Sequence, residues 1–100
     1  SLKGTFRSEY DQSPTDLAIR ELQAFVREYP ESDLSSEAAG RLQELTERRA
    51  QHEYDVAQFY ERRHHPRSAV RYYEAIVQRF AQTSWGPKAA ARLAVLQKSS

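Results

Sequence analysis

Cysteine is absent from this chain of 100 residues, which excludes disulfides and thiolate chemistry and leaves the compartment open. Charge of one sign is missing too. The 15 basic residues stand against 14 acidic ones, a net of +1, so neither a nucleic-acid nor an anionic-membrane footprint stands out. The longest apolar stretch, Ala89 to Leu96, is interrupted by Arg92 and is far too short to span a bilayer. No signal peptide is visible, and the chain begins at Ser1 rather than Met, which fits a piece of a longer polypeptide with its targeting sequence upstream. Nothing alternates with period two over a strand's length, so β structure is not expected. A glycine-rich phosphate loop, a nucleophile elbow and a Ser/His/Asp order are all lacking as well, which points away from an enzyme.

What the chain does have is a repeat. Residues 17–45 shifted by 51 fall on 68–96 without a gap. Ala18, Arg20, Ala24 and Val26 land on Ala69, Arg71, Ala75 and Val77. Ala38, Ala39, Arg41, Leu42 and Leu45 land on Ala89, Ala90, Arg92, Leu93 and Leu96. Between them sit swaps of similar shape: Phe25 with Ile76, Tyr29 with Phe80, Ser32 with Thr83, Leu34 with Trp85. Paired small and large apolar residues at a fixed period mark stacked helical units, and such stacks generally hold partners.

Four helices are expected. Residues 1–12 show no periodicity and read as an irregular lead-in, with 13–98 forming a single helical repeat domain. Ser13 can cap a first helix at 14–29, with Pro14 at its first position and Asp16 as the acid of a capping box. Ala18, Leu22, Phe25 and Tyr29 line one face before Pro30 stops it. Ser35 then serves as the expected cap of a second helix, with Leu34 as its hydrophobic staple. No proline follows until after Arg63, the only glycine is Gly40, and Glu37–Arg41 and Glu44–Arg48 stand at the favourable spacing. One long helix at 35–63 is therefore predicted, polar along its seam from Thr46 to Glu53. If that stretch is continuous, Ala50→Pro should cost about 3 kcal/mol or more. His64-His65-Pro66 breaks it, a third helix runs over 66–80, and Pro87 opens a fourth that ends near Lys98 (87–98).

The series Ala57, Tyr60, Ala69, Tyr73, Ile76, Phe80 fits a tetratricopeptide pattern. Such a unit takes roughly 34 residues, so a period of 51 carries about one helix more, which the long shared helix supplies. Here a resemblance becomes specific. Phe25-Val26-Arg27-Glu28-Tyr29-Pro30-Glu31-Ser32, Glu37-Ala38 and Arg41-Leu42 resemble the middle of the BamD-like family, the outer-membrane assembly lipoproteins of bacteria. So do the run from Glu53 to Arg63 (EYDVAQFYERR) and Ala69-Val70-Arg71-Tyr72-Tyr73, and the likeness extends from about Asp11 to Leu96. The family's usual glycine after that arginine is His64 here, and the second Tyr-Pro is Phe80-Ala81. The resemblance implies a lipid-anchored scaffold on the periplasmic side of the outer membrane, which helps a β-barrel insertase fold outer-membrane proteins. Its anchor cysteine and N-terminal repeats would lie upstream, so membrane contact would come only through a lipid anchor outside this chain.

Several side chains invite a sharper reading. His52, His64 and His65 lack the spacing of a metal site: His52 lies over three helical turns from His64, about 18 Å at roughly 1.5 Å per residue. No metal and no cofactor is expected. Glu61 and Asp55 are ordinary helix carboxylates rather than an acid/base pair. Trp85, in the place of Leu34, reads as a staple over the last helix's first turn. Arg62, Arg63, Arg67 and Arg71 cluster around the 64–66 turn, either as a solvated face favourable to the helix dipole or as a docking patch for an acidic partner. Tyr72, about a hundred degrees from the core-facing Tyr73, joins them as a candidate partner contact. These five are the candidate partner-binding residues of an all-α, tetratricopeptide-like scaffold. The rivals are another periplasmic repeat adaptor in envelope or peptidoglycan processes, favoured by a break near residues 46–50, and a helical accessory domain of an enzyme.

Overall fold

A computed structural model describes residues 11–98, and it is all-helical, with no strand among them. Helix α1 spans Ser13–Glu28, α2 Asp33–Arg62, α3 Pro66–Arg79 and α4 Trp85–Lys98. All bounds fall within two residues of those expected, and α2 runs 30 residues without interruption. The lead-in expected at 1–12 lies outside the described residues except for Asp11 and Gln12, which are not helical. The slab measures 49 × 32 × 15 Å. Helix α2 is its spine: among the described helices α1 packs on α2 alone, α3 packs on α2 and α4, and α4 also reaches α2. No described helix is long and apolar enough to cross a membrane.

The centre of the core lies in the second repeat. Ala50 and Ala57 of α2, Ala69, Tyr73 and Ile76 of α3, and Ala89 of α4 are fully buried. Alanine at four of these six positions lets the helix backbones approach, and Tyr73 and Ile76 fill the space beside them. Tyr54, Tyr60, Tyr72, Trp85 and Leu93 pack around this cluster.

The helix ends correct several expectations. Ser13 is not a cap: Gln12 holds that position without a side-chain capping hydrogen bond, and the Ser13 N–H donates to the Asp11 carboxylate at 3.0 Å. Asp16 does not reach back to close a capping box. It accepts from Arg49 Nε at 2.8 Å, because a guanidinium offers a charge-assisted hydrogen bond stronger than a backbone N–H can give. Ser32, not Ser35, caps α2, accepting from the Leu34 N–H at 3.2 Å. Ser35 is buried inside the first turn and donates its hydroxyl to the Tyr29 carbonyl. Leu34 is no staple either, being 60% exposed. Helix α4 starts at Trp85, two residues before Pro87. The Trp85 ring lies against its own first turn, with Lys88 Nζ 4.4 Å from its centroid, and also 5.0 Å from the ring of Tyr54 on α2. Gly86 is required there, since a Cβ would stand 2.5 Å from the Ala81 carbonyl oxygen.

The polar seam of α2 is partly buried. Arg49 and Glu53 are both 8% exposed, and Arg49 bridges Asp16 and Glu53, the latter at 2.6 Å. Burial works against the Arg49 cation, but hydrogen bonds to Asp16 and Glu53 outweigh it and raise its pKa. The buried charges are thus paired where α1 begins against mid-α2, and no buried side-chain polar atom is left without a partner among the described residues.

Candidate partner-docking site

The α2–α3 turn is built by a specific way of ending a helix. The His65 N–H donates to the Tyr60 carbonyl at 2.9 Å and the His64 N–H to that of Glu61 at 3.2 Å. That pair of bonds is a Schellman motif, which needs the residue after the cap in the left-handed region. His64 has φ 63°, the only positive φ among the described non-glycine residues. This is where glycine would be expected on steric grounds. Pro66 then opens α3, its fixed φ suiting the first turn of a helix.

Around this turn the five candidate residues separate into two groups. Arg71 and half-buried Tyr72 face one groove of about 460 Å³ between α2 and α3, which Glu53, Tyr60, Ser68 and Arg79 also line. The Tyr60 and Tyr72 rings stack at its wall, 5.7 Å apart with planes at 12°. Burial, helped by Tyr60 and the Glu53 charge, raises the Tyr72 phenol above its ordinary value, so it stays a neutral hydrogen-bonding group. Arg62 lies elsewhere, lining a shallower groove of about 390 Å³ with Gln58, Glu61 and Arg92. The exposed Arg63 guanidinium sits 5.1 Å over the Phe59 ring, and Arg67 is exposed at the start of α3. The turn therefore carries cations on both of its flanks rather than one compact patch.

The neighbouring acid is already engaged. Glu61 binds Arg92 and accepts from the Tyr73 hydroxyl at 2.8 Å. Burial alone would raise its pKa, but the hydrogen bonds from Arg92 and Tyr73 prevail and hold it below the ordinary carboxylate value. Tyr73 is pushed the other way, chiefly by burial and then by its bond to Glu61. An ionised, doubly bonded Glu61 is a structural strut between α2, α3 and α4. Asp55 is exposed. No three His, Cys, Asp or Glu side chains among the described residues are placed to share a metal ion.

Of the lining residues that were not candidates from the sequence, Tyr60 and Arg79 are the instructive ones. Tyr60 reads as a seam residue of the long helix, and Arg79 lies eight residues from Arg71. The Arg71–Arg79 spacing was a usable signal, being near two turns of one helix.

The model of the YfiO outer membrane lipoproteins matches residues 1–99. The chain belongs to the YfiO outer membrane lipoprotein family. This membership bears out the resemblance to BamD-like lipoproteins, and the fold agrees with it through the long α2 shared by two tetratricopeptide-like repeats. No curated protein and no solved structure matches the chain significantly.

Proposed function

We propose that this member of the YfiO family is a non-catalytic scaffold on the periplasmic side of the outer membrane, anchored by a lipid outside this chain. Its partner is the β-barrel insertase machinery, and it docks through the α2–α3 turn. One observation supports that surface above the others. From Arg62 to Tyr73 the chain carries four arginines and two histidines without a single acid, and Glu61 just before them is bound by Arg92 and Tyr73. Such a turn offers donors to carboxylates and little to repel them. Arginine forks give bidentate bonds of defined direction, and the stacked Tyr60–Tyr72 pair gives a rigid aromatic wall beside Arg71. The uninterrupted α2 speaks against the rival adaptor built from separate hairpins.

The test is binding of the full-length lipoprotein to the purified periplasmic domains of the insertase from the same organism, with Arg63→Glu/Arg67→Glu alongside. Charge reversal should weaken binding at least about tenfold, with a shallower salt dependence, while the helical content of the chain is retained. Equal binding by the variant would remove the turn from the interface.

A further inference from the structure

His64 occupies a position whose backbone has no use for an imidazole. The Schellman motif requires only a residue that tolerates φ near +60°, and glycine does so without a Cβ penalty. A cation at a helix C-terminus is favourable, but Arg62 and Arg63 already supply that charge. Nor does the ring support the fold: the side chain is exposed and makes no hydrogen bond, ion pair or ring contact with the described residues. Its neighbours differ. His65 stands 6.3 Å from the Tyr60 ring, edge to face, and Arg63 covers Phe59. A strained backbone carrying an idle, exposed side chain at the tip of a cationic turn points outward.

We propose that His64 is a partner-contact residue, its imidazole donating a hydrogen bond to a carboxylate on the insertase's periplasmic face, between the arginines that flank it. This rests on the docking reading above, which it deepens from general charge attraction to one directional contact. The strain is kept because the side chain is needed.

Two substitutions in the full-length lipoprotein separate ring from backbone. His64→Gly relieves the left-handed strain and should raise the melting midpoint, whereas His64→Ala keeps the strain and should not. Both remove the imidazole, so both should weaken binding to the purified insertase periplasmic domains by about tenfold, the scale of one hydrogen bond to a charged group. Wild-type affinity in either variant overturns the proposal, as does affinity that follows the midpoint instead of the missing ring. Arg63→Glu/Arg67→Glu is measured in parallel. If it loses binding while the His64 variants do not, only the His64 contact fails. If all variants bind as wild type, the docking surface itself is wrong.

Discussion

Tyr29 and Phe80 hold the same place in the two repeats, each the last ring before its turn, yet Tyr29 is 54% exposed and Phe80 6%. The turns that follow share two hydrogen bonds at matching positions. Ser32 and Thr83 each donate an N–H to that aromatic residue's carbonyl, at 3.2 and 3.0 Å. Each accepts, through its hydroxyl oxygen, the N–H two residues on, from Leu34 and from Trp85, both at 3.2 Å. The difference lies in what covers the helices. In the second repeat, α3 is held between the C-terminal half of α2 and α4, and Ile76 is fully buried. In the first, α1 has only α2 against it among the described helices, and Leu22 and Phe25 are half-buried. Local hydrogen bonding is therefore a property of the repeat, whereas burial is a property of its neighbours. Burial is the larger stabilising term, so stability should concentrate in the second repeat.

The contrast can be broken most forcefully at the spine. Ala50→Pro removes a helical hydrogen bond at a fully buried position of the element both repeats share, and should cost about 3 kcal/mol or more. Denaturant unfolding would show both halves weakened together, whereas a silent substitution would mean that α2 is two helices. The next effect compares paired residues directly. Ile76→Ala should cost about 3 kcal/mol, within the usual range for a buried isoleucine, and Phe25→Ala only about 1 kcal/mol from its half-buried site. Equal costs in urea unfolding would remove the distinction between the repeats. Smaller still is the strut at Glu61, where Glu61→Gln should cost about 1 kcal/mol at neutral pH. Because the folded carboxyl is held below its ordinary 4.5, its contribution is complete above that value and fades as pH falls through the depressed one. The variant should therefore lose less stability than the parent as pH drops below 4.5, read as urea midpoints across that window.

The helices were legible because their signals are local. Ala69, Tyr73, Ile76 and Phe80 declare one face within a dozen residues, and the long helix shows through its lack of proline. The caps were not legible, since the outcome at Asp16 depends on Arg49, 33 residues away. Arg49 and Glu53 stand at i, i+4 on α2, so their pairing was locally readable, but the bond to Asp16 and the burial of both appear only when α1 is laid on α2. At the candidate site the cations could be counted from the sequence. The groove could not be seen, because its stacked rings come from different helices. The φ of His64 was hinted at only by the glycine expected there.

Native-state hydrogen exchange, resolved by residue, tests most directly whether one spine serves a closed repeat and an open one. Amides of α3 and of the C-terminal half of α2 should exchange only through global unfolding, and those of α1 through a smaller opening that leaves α3 protected. Equal protection of α1 and α3 would contradict the account, and so would rapid exchange at residues 46–53 within α2.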